Sequence, residues 1–146
     1  MPSPSVNDIT VIVVTFNSAH CIEGLRDAIA DFTHLVIVDN GSSDDTAEKV
    51  RACLPGATFI RSPDNIGFGA ANNKALAIVK TPYALLINPD CLPGPQFAEG
   101  LLAAAAQFPD AAIIAPHLLR RTGALELSYR WPDNAWRSGG PEASGP

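Results

Sequence analysis

The chain has 146 residues, 47% of them hydrophobic and 17% charged, with ten Lys and Arg against fifteen Asp and Glu for a net charge of −5. At this length a chain buries roughly 68–70% of its unfolded surface and needs no disulfide or metal staple, so one globular domain is expected. The acidic balance, with no basic cluster beyond Arg120-Arg121, argues against nucleic acid or an anionic membrane as main partner.

Met1 to Asp8 has neither the basic start nor the apolar middle of a signal peptide. Ile9 to Val14 is a nearly continuous apolar run, the pattern of a strand covered on both faces. Ile22, Leu25, Ile29 and Phe32 then recur at helical spacing on a helix predicted over about residues 19–32. Leu35 to Val38 is the second strand. The polar run Asp39 to Asp45 turns the chain into a second helix, with Asp45 and Glu48 at capping-box spacing and a stripe of Ala47, Val50 and Leu54. Pro55-Gly56 closes it, and Ala57 to Arg61 reads as a third strand. Phe68, Ala71, Ala75 and Ile78 are predicted as the buried face of a third helix, stopped by Thr81-Pro82.

Tyr83 to Ile87 is the fourth strand, with Asn88-Pro89-Asp90 at its carboxyl end. Pro93-Gly94-Pro95 opens an alanine-rich helix to about Phe108, with Pro95 in its first turn. The longest apolar stretches, such as Leu101 to Ala106, fall far short of the ~18 residues of a membrane span. Ala111 to Ala115 is expected as a fifth strand and Leu118 to Trp131, around Gly123, as a hairpin, with Trp131 and Trp136 either packed under it or stacked against a sugar. The expected organisation is an unstructured N-terminus over 1–7, one domain over 8–137 and an unstructured tail over 138–146. Strands alternating with helices predict a mostly parallel sheet. The three cysteines have no metal or redox spacing, which suits a reduced cytoplasmic setting.

Open parallel sheets bind ligands outside the carboxyl ends of their strands. Four strand ends here deliver Thr15-Phe16-Asn17-Ser18, Asp39-Asn40-Gly41-Ser42, Arg61 with Asp64-Asn65, and Asn88 with Asp90. Polar loops of this kind also cap the helices that follow them. A carboxylate directly at the end of two strands goes beyond that need. The rim offers no nucleophile beside an obvious base, His20, His34 and His117 share no ligand spacing, and no glycine-rich phosphate loop follows the first strand. What is left is oxygen and amide chemistry from Asp39, Asn65, Asn88 and Asp90, which suits Mg²⁺ or Mn²⁺ sharing its coordination with phosphates.

The segments Val-Val-Thr-Phe-Asn-Ser (13–18), Val-Ile-Val-Asp-Asn-Gly-Ser-Ser-Asp-Asp-Thr (36–46), Asn-Ile-Gly-Phe-Gly-Ala-Ala-Asn-Asn (65–73) and Leu-Leu-Ile-Asn-Pro-Asp (85–90) together resemble the nucleotide-sugar-binding half of family 2 glycosyltransferases. With Gly123 to Pro132 they look most like its rhamnosyltransferase-type branch. The resemblance implies a Rossmann-like GT-A three-layer sandwich and an inverting hexosyl transfer, rhamnosyl in that branch. The donor would be a dTDP- or UDP-linked sugar and the acceptor a glycan or lipid-linked glycan, with the chain cytoplasmic or at the inner face of the membrane.

By position, the resemblance puts Thr15 and Asn17 beside the nucleotide, Asp39 on the base or ribose, Asn40 at the same rim, and Asn65 to Gly67 along the donor. Asn73 holds the helix position where the family keeps an asparagine. Asp90 matches the last acid of the family's Asp-x-Asp metal motif, and Asn88 replaces its first acid with an uncharged amide that can still hydrogen-bond a ribose hydroxyl of the nucleotide sugar. The family's general base comes from an acidic motif beyond the donor half, in a segment that would follow Trp131. The catalytic base is therefore expected outside this chain, which reads as C-terminally truncated. Two alternatives stand beside this reading: a donor-half fragment that binds nucleotide without transferring, and a receiver-like signalling module with Asp39 as phosphoacceptor.

Overall fold

The computed structural model describes residues 4–119, 123 and 125–126. The chain divides into two compact units, Met1–Pro109 and Asp110–Pro146. The first contains β1 (Ile9–Thr15), α1 (Ile22–Ala28), β2 (His34–Asn40), α2 (Thr46–Cys53), β3 (Thr58–Ser62), α3 (Phe68–Leu76), β4 (Tyr83–Ile87) and α4 (Phe97–Gln107). Each strand is followed by a helix that carries the chain back across the sheet, which is what parallel pairing requires. The result is a four-stranded parallel sheet in the order β3-β2-β1-β4.

Side chains alternate between the two faces of a strand, and the core divides accordingly. Val11, Val13 and Ile37 pack with Ile22, Leu25 and Ile29 from the first helical segment and Val50 and Leu54 from the second, joined by Ala98 and Leu102 of α4. On the other face Ile12, Val14, Val36 and Val38 pack against Ala71 and Ala75 of α3. These are the three layers expected from the sequence. All seven residues of β1 are buried, which explains its nearly continuous apolar run.

Several details differ from expectation. The first helix is shorter than 19–32, because Ile29 leaves helical geometry at φ −115° and ψ 18°; its stripe through Ile29 and Phe32 is nevertheless buried. Pro95 precedes α4, whose N-cap is Gln96. α3 meets the sheet through the small residues Ala71 and Ala75, while Phe68 and Ile78 are exposed. Ala111 to Ala115 forms no strand. Residues of the expected unstructured N-terminus instead enter a 3-10 turn, Val6–Asp8, closed by Ser5 N–H donating to Asp8 Oδ2 at 2.8 Å.

In the second unit β5 (Leu118–Leu119) pairs antiparallel with β6 (Leu125–Glu126), and Gly123 between them has φ +80°. This is the core of the expected hairpin. Trp131, Trp136 and the 138–146 tail lie outside the described residues. No helix among the described residues is long and apolar enough to cross a membrane.

Candidate functional site

Strand register builds the centre of the site. Thr15 of β1 stands beside Asp39 of β2, and Asp39 beside Arg61 of β3. Paired residues of parallel strands share a face, so this polar row prolongs the apolar row Val13, Ile37 and Phe59 beneath α1 and α2. One residue further, Asn40 and Ser62 are paired and turn to the α3 side.

Asp39 is fully buried. Its Oδ1 accepts hydroxyl hydrogen bonds from Thr15, at 3.3 Å, and from Ser42. The Ser42 hydroxyl in turn accepts from Asn17 N–H at 2.9 Å. Oδ2 is buried without a hydrogen-bond partner among the described residues. Arg61 Nε stands 3.4 Å from it, and Arg61 Nη2 donates to the Ser42 carbonyl at 3.4 Å. The ion pair is therefore close in distance and poor in direction. A buried acceptor left without a directed donor costs roughly 1–3 kcal/mol, more when charged, and a half-exposed guanidinium offsets only part of that.

Two sets of bonds hold the surrounding loops. In the first, the loop after β1 is fastened to the loop after β2. Asn17, at φ 49° in the left-handed region that Asn tolerates better than most residues, accepts from Ser43 N–H at 2.9 Å. Ser18 N–H donates to Thr46 Oγ1 at 2.8 Å, Ala19 N–H to Asp44 Oδ2 at 3.3 Å, and Lys49 Nζ to the Ala19 carbonyl at 3.2 Å. In the second set, Asn40 Nδ2 donates to Asn65 Oδ1 at 2.9 Å, Asn40 Oδ1 accepts from Ile66 N–H at 3.0 Å, and Asn65 Oδ1 also accepts from Gly67 N–H at 2.9 Å. Gly41, at φ +83°, lets the backbone of Asp64 and Asn65 come this close.

The start of α2 is capped by a different acid from the one the spacing suggested. The Asp45 side chain makes no cap bond, whereas Asp44 Oδ1 accepts from both the N–H and the hydroxyl of Thr46. The Thr46 hydroxyl chiefly, with the N–H groups of Thr46 and Ala19 adding to it against the opposing effect of burial, holds the Asp44 carboxyl below its usual range. A carboxyl lowered on folding stabilises above its unfolded pKa, roughly 3.9, and that contribution is lost as pH falls through the folded value. Asp44→Ala is accordingly expected to lower the thermal midpoint by a constant amount between about pH 5 and 8, with the gap narrowing below about pH 4. A gap unchanged to pH 2 would contradict this role.

The remaining candidates leave β4, where Val13 pairs with Ile87, so that residues 88–90 emerge beside the last residues of β1. Asn88 and Asp90 are exposed. The Asn88 carbonyl accepts from Cys91 N–H at 3.1 Å, and Leu92 lies 3.8 Å from the point where a Cβ on Gly24 would stand, against the first turn of α1. Burial first, and the Asp90 charge second, push the Cys21 thiol up.

The structure thus joins Thr15, Asn17 and Asp39 in one network and Asn40, Asn65 and Gly67 in a second, with Asn88 and Asp90 at the end of the neighbouring strand. Asn73 is exposed on α3, and its side chain joins neither network among the described residues; its buried neighbour Asn72 donates to the Phe68 carbonyl at 3.0 Å. Sequence reasoning assigned no role to Ser42 or Arg61. Ser42 carried no signal beyond a polar turn, and Arg61 stood at a strand end whose partner only the register reveals.

Residues 10–141 match the family described as Glycosyl transferase family 2. The chain belongs to this family. It is 24% identical over 153 aligned positions to N-acetylglucosaminyl-diphospho-decaprenol L-rhamnosyltransferase of Mycobacterium tuberculosis, covering 94% of this chain and 50% of that protein. Succinoglycan biosynthesis protein ExoU of Rhizobium meliloti is 30% identical over 96 positions, 62% of this chain and 28% of that one. The first of these curated relatives is about twice as long as the stretch this chain matches. The crystal structure of glucosyl-3-phosphoglycerate synthase from M. tuberculosis, solved with Mn²⁺, UDP and glucosyl-3-phosphoglycerate, is similar with a TM-score of 0.56 at 24% identity, over 70% of this chain and 44% of that one. That likeness shows the fold, the parallel GT-A sandwich.

Proposed function

We propose that this chain binds the nucleoside diphosphate of a sugar donor at the carboxyl edge of its sheet, as the donor half of an inverting glycosyltransferase. The group moved is a hexosyl, rhamnosyl on the strength of the M. tuberculosis relative's name, from a dTDP- or UDP-linked donor. The acceptor is a glycan, lipid-linked as in that relative, which would bring the protein to the inner membrane face. The observation that carries the reading is Asp39. Its buried oxygen at a strand end, ion-paired with Arg61 but without a directed hydrogen bond, is an acceptor that a nucleobase or ribose donor would complete, framed by Thr15 and Asn17 on one side and the Asn40, Asn65 and Gly67 loop on the other. Asn73 is kept as a contact from α3.

The residues at the end of β4 fit a divalent ion of a particular kind. No group of three or more His, Cys, Asp or Glu side chains among the described residues could hold a metal, and Asp90 with the amide oxygen of Asn88 makes a small, hard donor set. Such a set suits Mg²⁺ or Mn²⁺ that completes its shell with phosphate oxygens and water. When bound, the ion supplies stabilisation of the negative charge that develops on the departing nucleoside diphosphate. Asp90 would hold it, while Asp39 would fix the nucleoside end and the two sets of bonds hold the loops after β1, β2 and β3 in place. Inversion also needs a base on the acceptor hydroxyl, and none of the rim residues is assigned that role.

Asp39→Ala is expected to weaken the bare nucleoside and its diphosphate by the same factor, roughly tenfold to a hundredfold, the worth of a hydrogen bond to a charged group. Titration calorimetry with uridine, thymidine, UDP and dTDP measures it, with Asp39→Asn as a variant that keeps the buried shape. Unchanged nucleoside affinity in both variants would move Asp39 out of the base or ribose contact.

A further inference from the structure

Asn17 is the only non-glycine residue among the described residues with a positive φ, at 49°. Side chains seldom occupy that region, and they stay there only where the surrounding structure holds them, most often at functional sites. The hold on Asn17 comes from the loop after β2. Its side-chain oxygen accepts from the N–H and from the hydroxyl of Ser43, at 2.9 and 3.3 Å, and its main-chain N–H donates to Ser42 Oγ at 2.9 Å. The next two N–H groups, of Ser18 and Ala19, are taken by Thr46 Oγ1 and Asp44 Oδ2, and that of Phe16 by Ser18 Oγ at 3.2 Å. The loop after β1 is thus moulded on side chains from residues 42–46.

These bonds run in one direction. A main-chain N–H can only donate, and a hydroxyl has a single hydrogen to give. Asn17 N–H therefore occupies a lone pair of Ser42 Oγ and leaves the Ser42 hydrogen for Asp39 Oδ1, which also receives the Thr15 hydroxyl. Both donors fall on Oδ1, and Oδ2 is left without a directed bond beside Arg61. Resting on the donor-site reading above, we infer that Asn17 is a positioning residue: its grip on Ser43 keeps its N–H on Ser42, which aims the Ser42 hydroxyl and, through it, the Asp39 carboxylate. The side-chain nitrogen of Asn17 enters no hydrogen bond among the described residues, and the oxygen is the end that acts.

The test is a double-mutant cycle read by titration calorimetry of the full chain with uridine and thymidine, which carry no phosphate charge. Asn17→Gly accepts the same backbone geometry without a side chain and is expected to weaken nucleoside binding by roughly threefold to tenfold. Asn17→Asp keeps the acceptor and should restore most of that loss. Ser42→Ala should weaken binding as well, and adding Asn17→Gly to it should cost little more, because residues that act in series are not additive. Additive losses, or a loss in Asn17→Asp as large as in Asn17→Gly, would overturn the inference, assign Asn17 to direct contact with the nucleoside and leave the donor-site reading standing. Unchanged affinity in Asn17→Gly would overturn it as well, whatever the thermal midpoint does. Binding of UDP or dTDP by the unchanged chain without binding of either nucleoside would also contradict it, since no nucleoside would then rest on Asp39. No binding of the nucleosides, UDP or dTDP would remove the donor-site reading and this inference together.

Discussion

Gly41→Ala is expected to destabilise the chain by ~3–5 kcal/mol, a large part of the ~5–15 kcal/mol that keeps a domain folded. Two penalties coincide there. The backbone has φ +83°, and an added Cβ would sit 2.7 Å from the Asp64 carbonyl carbon and 2.8 Å from the Asn65 nitrogen. Those are main-chain atoms, which cannot rotate away as a side chain would. Relief requires the loops after β2 and β3 to separate, and that breaks the bonds of Asn40 to Asn65 and Ile66. Gly67 provides the comparison, with φ +88° and nothing within 4 Å of its would-be Cβ. Gly67→Ala should cost only the conformational part, ~1–3 kcal/mol. Urea unfolding of both variants measures the difference, and equal losses would show that the close approach at Gly41 contributes nothing.

Asp90→Ala is expected to abolish the gain in UDP or dTDP affinity that Mn²⁺ brings, a loss of about tenfold or more at saturating metal, with the thermal midpoint unchanged. The side chain is exposed and enters no hydrogen bond among the described residues, so the fold does not depend on it. The site has one carboxylate where the related motif has two, and Mg²⁺ or Mn²⁺ favours charged oxygen ligands. Asn88→Asp should therefore strengthen the response to metal. A metal response that survives Asp90→Ala would assign the ion to other groups.

The parallel sheet was legible because its signals are local. The apolar run of β1 and the stripe Ile22, Leu25, Ile29 and Phe32 each report their own burial, and all of these residues are buried. The bounds of β4 agree with the sequence reading. What periodicity does not report is the size of the partner surface. α3 rests on Ala71 and Ala75, so Phe68 and Ile78 at the same spacing are exposed. The Asp44 cap was missed because neighbouring acids look alike until the Thr46 hydroxyl chooses between them. The candidate site followed the same division. Asp39 and Asp90 could be picked out as acids at strand ends, one residue at a time. The roles of Ser42, Arg61 and Gly41 depend on which strands lie side by side and in what register, and no local pattern encodes that.

The residues of the proposed donor site gather at one rim. Thr15, Asp39 and Arg61 stand in a row across three strands, two loops are fastened around them, and Asp90 emerges from the fourth strand on the other side of β1. Membership of Glycosyl transferase family 2 gives that arrangement its context. Titration of the full chain with UDP and dTDP, with and without Mn²⁺, tests the proposed donor site most directly. Saturable binding of at least one of them, tightened about tenfold or more by Mn²⁺, is the predicted result; no saturable binding of either nucleotide at millimolar concentration, with the metal present, would contradict it.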